Sequence, residues 1–218
     1  MNSQIQLLNA DCVSEMKKFP DKYFDLAVVD PPYGIGAGSI SFNNGTRKKK
    51  KSDFFRKNDW DGSIPSAEYF SELFRVSKNQ IVWGGNYFTE FLPPSKAWVF
   101  WDKMNGENSY SDGELAWTSF DRVLKKYSKF WSGAQAKEKN EVDRMHPTQK
   151  PVALYDWIFE NYSNPGDKII DTHLGSGSSA IAAQRYDLEF FGTEIDPEYF
   201  EAAKKRFELH ISQTRLFL

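Results

Sequence analysis

Short apolar runs alternate with amphipathic stretches along almost the whole chain, and several of the runs stop abruptly at an acid, a glycine pair or a proline pair. Apolar runs this short read as buried strands, and strands that alternate with helices build a mostly parallel sheet covered on both faces. The expected fold class is therefore α/β, a doubly wound, mostly parallel sheet formed by a single domain over residues 1–218. Strands are expected at 5–8, 24–29, 80–83, 97–101, 168–171 and 190–195, with a weaker alternation at 114–120. Helices are expected at 12–19, 66–76, 151–162, 178–185 and from 197 to about 213. Ser66 is placed to cap its helix, in which Tyr69, Phe70, Leu73 and Phe74 recur at helical spacing. Two segments, 34–62 and 122–145, show no periodicity. Segments this long inside one domain are functional loops or disordered ones, and both are expected to be loop insertions.

The totals exclude several classes. Hydrophobic residues make up 40% of the chain, enough for a real core. With 28 basic and 30 acidic residues the formal net charge is -2, so the chain is not a uniformly basic nucleic-acid binder, and any contact with phosphates must come from a local patch. The one cysteine, Cys12, rules out an internal disulfide and points to a reducing compartment, the cytoplasm. Residues 1–8 lack the basic and apolar regions of a signal peptide, and no run of 18 apolar residues suggests a membrane span. Three scattered histidines make no metal site, and His146 and His210 read as structural or solvent-facing.

Three constellations carry chemistry. In the first, a strand delivers Asp30, Pro31, Pro32, Tyr33 and Gly34 to its carboxyl end, where open α/β sheets bind ligands. The prolines fix the backbone and stop the ladder. In the second, a strand ends in Asp171, and Thr172, His173, Leu174, Gly175, Ser176 and Gly177 form a small-residue turn into a helix, so the backbone can approach a ligand closely. No lysine follows the last glycine, so this is not a phosphate-binding Walker loop, but a nucleotide-type ligand fits. In the third, Glu194 ends the next strand about 20 residues on, where a carboxylate grips a ribose diol in dinucleotide-type folds. Helix capping is the plainer reading of these acids, and it fits Asp196 better than Glu194.

Asp30-Pro31-Pro32-Tyr33, the run His146 to Pro151, the run Asp171 to Ser179 and the run Phe191 to Phe200 together resemble the amino-methylating DNA methyltransferases, and their order resembles the permuted β group of that family. The segment Trp83 to Phe88 also looks like phage- and prophage-type members. The resemblance implies a Rossmann-like, S-adenosylmethionine-dependent methyltransferase fold, in the cytoplasm of a bacterial or phage-infected cell. It implies that Asp30 and the Pro31 carbonyl accept hydrogen bonds from a target amino group, with Pro32 completing the turn, and that Tyr33 stacks on a flipped base. Asp171 and the loop Gly175, Ser176, Gly177 would hold the methionine part of the cofactor, and Glu194 its ribose. Asp11 and Cys12 would lie at its adenine, and Thr148 and Lys150 near its carboxylate. The family pattern carries Pro-Phe where this chain has Thr172-His173, so His173 would offer a flat ring in place of the phenyl.

Asp at position 30 resembles the adenine-N6 enzymes. N4-cytosine enzymes more often carry Ser there, and enzymes acting on protein glutamine or RNA more often Asn. A non-catalytic nucleic-acid-binding protein that has kept the fold is the reading from another class. The expected partner is double-stranded DNA; a homodimer is compatible with the chain, though no residue argues for it. Arg47, Lys48, Lys49, Lys50 and Lys51 lie in the loop that begins just after Tyr33, and cations there would neutralise phosphates beside the target pocket. The segment from Arg122 to Arg144 is the second candidate for contact with DNA.

Overall fold

A computed structural model describes residues 4–36, 62–106, 111–131 and 149–215. They form one eight-stranded sheet flanked by five α-helices. The strands are β1 (Ile5–Asn9), β2 (Phe24–Val29), β3 (Ser77–Trp83), β4 (Trp98–Asp102), β5 (Gly113–Thr118), β6 (Lys125–Ser128), β7 (Lys168–Asp171) and β8 (Glu189–Glu194). The helices are α1 (Cys12–Met16), α2 (Ala67–Val76), α3 (Val152–Tyr162), α4 (Ser178–Arg185) and α5 (Pro197–Arg215). The spatial order is β1-β8-β7-β2-β3-β5-β4-β6. Strands β1, β8, β7, β2 and β3 run parallel to one another, β5 is antiparallel to both β3 and β4, and β6 is parallel to β4.

The sheet has a core on each face. On β2, Leu26 and Val28 join Trp83, Leu154 and Ile158 on one side, while Ala27 and Val29 join Phe70, Leu73 and Phe88 on the other. Burial on both faces explains why β2 reads as a continuous apolar run rather than an alternation. Helix α2 covers the second face with Tyr69, Phe70, Leu73 and Val76, and the Ser66 side chain caps it by accepting from the Tyr69 N–H at 3.3 Å. Leu73 is fully buried there, and truncating it to alanine would cost about 2–5 kcal/mol.

Three expectations need correction. The segment 122–145, read as aperiodic, contains strand β6. Its side chains are mostly exposed, so no face imposed a period-two signal on the sequence. The helix expected at 12–19 closes at Met16 and continues as a turn, in which the Lys18 and Phe19 N–H groups bond carbonyls three residues back. Strand β3 also starts earlier than expected, because its polar first residues Ser77, Lys78 and Asn79 carry no apolar signal.

Candidate active site

The sheet order turns distant acids into neighbours. Five consecutive parallel strands present their carboxyl ends along one edge of the sheet. That edge carries, in spatial order, Asp11 beyond β1, Glu194 ending β8, Asp171 ending β7, Asp30 just past β2, and Gly84 just past β3. Because β5 is antiparallel, its first residues, Gly113 and Glu114, arrive at the same edge, as does Lys103 after β4.

The cofactor half is built around Glu194 and Asp171. The Glu194 carboxylate accepts from the Gly175 N–H at 2.9 Å and from the Asp196 N–H at 3.0 Å, tying the glycine loop to the end of β8. Burial raises its pKa above the ordinary value against these hydrogen bonds. Asp171 accepts from the Ser179 hydroxyl at 2.6 Å and from the His173 N–H at 3.1 Å, and burial pushes it up to about 7. A buried carboxyl of this kind favours a cationic ligand group. Gly177 enters α4 at φ +73°, with Ala203 of α5 closing the space that a side chain would need. Ser176 is buried, and its hydroxyl bonds that of Ser178 at 3.1 Å. Asp11 is the N-cap of α1, accepting from the Ser14 N–H, a bond that lowers its pKa. Burial pushes the Cys12 thiol up to about 12, so it stays protonated. Asp196 accepts from the Glu198 and Tyr199 N–H groups, the capping role that suited it better than Glu194.

Where the family pattern carries Pro-Phe, the Thr172 hydroxyl bonds both the Tyr69 hydroxyl (2.7 Å) and His173 Nδ1 (2.9 Å), and the imidazole meets the Tyr69 ring edge-on at 5.4 Å. Burial lowers His173 to about 4, so at neutral pH it is an uncharged flat ring. A glycine turn, a buried carboxyl suited to a cation, an acid where a ribose is expected and a neutral ring fit the parts of S-adenosylmethionine.

The catalytic half is denser than the sequence suggested. The Tyr33 hydroxyl donates to Asp30 Oδ1 at 2.7 Å, and the Lys150 ammonium donates to Oδ2. The Tyr33 ring stacks on Tyr87 at 4.9 Å and 14°, and Gly84 packs against the ring over Cε1. Lys150 was expected at the cofactor carboxylate. Its ammonium lies at Asp30, 3.1 Å from Glu114 Oε2 and over the Trp83 ring at 5.2 Å, with the side chain only 3% exposed. Its carbonyl accepts from the Ser178 hydroxyl at 2.8 Å, so Lys150 joins the glycine-loop half to the catalytic half. Burial raises the pKa of Asp30, and Lys150 opposes that. Burial also disfavours charge on Glu114, but the Lys150 and Lys103 ammoniums outweigh it and hold Glu114 below the ordinary range. Burial disfavours the Lys150 charge as well, yet Asp30 and Glu114 overcome it, so the lysine stays protonated.

Thr148 and the basic run Arg47, Lys48, Lys49, Lys50, Lys51 lie outside the described residues, as does most of 122–145. Two residues that sequence reasoning passed over belong to the site. Glu114 is a charge inside an otherwise apolar strand, a pattern that demands a partner. Arg206 lies on the buried stripe of α5 with Ala203 and Phe207. It donates to the Ser176 carbonyl at 2.9 Å and the Ser178 hydroxyl at 2.8 Å, bracing the loop from behind. Its signal was an arginine at core spacing.

A family model described as DNA methylase matches residues 88–205, more than half of the chain. The type II methyltransferase M2.LlaDCHI of Lactococcus lactis subsp. cremoris is 25% identical over 238 residues, which cover 92% of this chain and 88% of the relative. The solved structure of an M1.HpyAVI–SAM complex is similar with a TM-score of 0.57 and 21% identity, covering 93% of this chain and 100% of that one. The PvuII DNA methyltransferase, named as cytosine-N4-specific, gives a TM-score of 0.59 at 14% identity, covering 97% of this chain and 92% of its own. With the family model across the glycine loop and the strand-end acids gathered on one edge of such a sheet, the chain belongs to the DNA methylase family.

Proposed function

We propose that the chain is a site-specific methyltransferase that acts on the N6 amino group of an adenine flipped out of double-stranded DNA, with S-adenosylmethionine as methyl donor. The observation that carries this reading is the Asp30–Tyr33 pair, set beside Asp171 and Glu194 on the same sheet edge. When bound, the cofactor supplies a methyl group already activated on a sulfonium, and Asp171, the loop 175–177, Glu194, Asp11 and Cys12 would hold it. His173 would pack against it as a neutral ring.

The residues of the catalytic half address the amine. Adenine's amino lone pair is delocalised into the ring and is a poor nucleophile. Asp30 and the Pro31 carbonyl accept its two hydrogens, draw the nitrogen towards tetrahedral geometry and stabilise the positive charge that develops there. Pro32 keeps the turn rigid, so the acceptors are in place before the substrate arrives. Flipping the base out of the duplex costs a few kcal/mol, and stacking on an aromatic ring returns roughly 1–3 kcal/mol. Tyr87 stacks on Tyr33 and holds its ring in place before the base arrives.

The test is transfer of tritiated methyl groups from S-adenosylmethionine to duplex DNA, followed by digestion to nucleosides. Label in N6-methyladenine, abolished in Asp30→Ala with DNA affinity kept, is the expected result. Label in N4-methylcytosine would overturn the choice of base. Label in RNA or protein but not DNA would overturn the substrate, and an active Asp30→Ala would overturn the site.

A further inference from the structure

Asp30 is the acceptor on which the proposed chemistry depends, yet both its oxygens are already engaged, Oδ1 by the Tyr33 hydroxyl and Oδ2 by the Lys150 ammonium. An amino group arriving at Asp30 competes with these donors for the carboxylate. Lys150 has a second acceptor in reach, because Glu114 Oε2 lies 3.1 Å from the same ammonium. It also needs one. Its side chain is 3% exposed, and an ammonium left unpaired at such depth is costly. Glu114 is held ready from its other side by Lys103, whose ammonium is 2.7 Å from Oε1.

We propose that Glu114 is a positioning residue for methyl transfer: it shares the Lys150 ammonium with Asp30 and takes it over when the target amino group claims Asp30. The inference rests on the assignment of Asp30 made above. The exchange keeps every charge in the cluster paired while the acceptor changes partner. It also alters what Asp30 can do. Methylation leaves the nitrogen with one proton too many, and an Asp30 freed of Lys150 is basic enough to take it and pass it to water. The groups that bear on Asp30 are Lys150, Tyr33 and Glu114, with Asp171, Tyr69 and Tyr155 further off; Lys103 bears on Glu114.

Glu114→Gln keeps the side chain's size and removes its charge, so Lys150 stays on Asp30. Two readouts follow. In cofactor-free protein, the carboxyl-carbon resonance of Asp30, identified by its absence in Asp30→Asn, should titrate at lower pH in Glu114→Gln than in the wild type. In turnover on duplex DNA, kcat should fall on the order of 10-fold or more, as expected for a misplaced reacting group. The acidic limb of the kcat profile should move to lower pH, and KM for S-adenosylmethionine should hold. A lowered kcat with an unmoved titration and an unmoved limb would show a merely structural role and overturn the proposal, as would wild-type kcat. Glu114→Asp serves if the glutamine variant does not fold. It withdraws the carboxylate by about 1.5 Å, one carbon–carbon bond, so both shifts should recur in smaller measure, and an unshifted profile overturns the proposal equally. Asp30→Ala separates the two levels. If it is inactive while Glu114→Gln is unshifted, only the role of Glu114 fails; if it is active, the site assignment beneath fails.

Discussion

Gly84 and Gly166 both lie in the left-handed region, at φ +68° and +84°, and they differ in what surrounds them. A methyl group at Gly166 would meet nothing within 4 Å. At Gly84 it would sit against Tyr33, 2.6 Å from both Cδ1 and Cζ. Alanine in this conformation costs about 1–2 kcal/mol, and stiffening the unfolded chain offsets part of it, so Gly166→Ala should lose roughly 1 kcal/mol. Gly84→Ala carries the same strain, plus about 1–3 kcal/mol for forcing the ring aside. Moving the ring also loosens the hydroxyl's bond to Asp30, a bond to a charged group and so worth about 1.5–3 kcal/mol. Partial relaxation keeps the sum near roughly 3–4 kcal/mol. In a domain of this size, thermal denaturation should show Gly166→Ala lower by about 2–4 °C and Gly84→Ala by about 10 °C. Activity should separate them further. Gly166→Ala should turn over like the wild type, whereas Gly84→Ala should lose about 100-fold in kcat at a temperature where it is folded, because Asp30 and Tyr33 no longer meet. Equal melting losses and equal turnover in the two variants would refute the reasoning.

Glu194→Ala should weaken S-adenosylmethionine binding in calorimetry, since it removes the proposed ribose acceptor and the partner of the Gly175 and Asp196 N–H groups; unchanged affinity with an unchanged Tm would show the pocket misplaced. Asp171 gives a pH dependence with a definite sign. Its folded value of about 7 stands above the ordinary 3.8, so the stability it lends at low pH is lost as pH rises through about 7, and the cofactor-free Tm should fall over that window. A cationic ligand prefers the ionised form, so cofactor affinity should rise over the same window with release of a proton, and a flat calorimetric pH series would refute it. Replacing Lys48 to Lys51 with serine should leave folding and cofactor binding intact and flatten the salt dependence of DNA affinity by about 0.9 in log–log slope for each phosphate no longer neutralised; coincident slopes would rule these lysines out as the phosphate-binding patch.

What was legible in the sequence is what the backbone itself demands. Asp30-Pro31-Pro32 stops a strand, Gly175 and Gly177 bend the chain into a helix, and apolar runs such as 24–29 and 168–171 declare strands covered on both faces. Lys150 shows where that legibility ends. Its motif resembles one near the cofactor carboxylate and says nothing of Asp30, 120 residues away, which only the order in which strands lie side by side brings to it. Glu114 was hidden for a related reason. A charge in an apolar strand announces that a partner exists, yet the antiparallel turn of β5 is what brings it to the edge where Lys150 sits. Strand β6 was invisible for the opposite reason, since an exposed edge strand has no buried face to pattern it.

The strand order also governs how this chain can come to be folded. β1 and β2 are consecutive along the chain, but β8 and β7 lie between them in the sheet. A growing polypeptide can assemble β2, β3, β5, β4 and β6 as they emerge, whereas β1 waits for residues 189–194, the last strand among the described residues, before its partner in the sheet exists. Its ladder is among the most non-local in the molecule, so loop-closure entropy must be met before those pairings can reward it. Refolding should therefore be limited by the docking of β8 between β1 and β7, and substitutions there should slow it more than equally destabilising ones in β3. Until that step the chain carries an open sheet edge and a stranded apolar segment, the condition in which nascent proteins aggregate or engage chaperones.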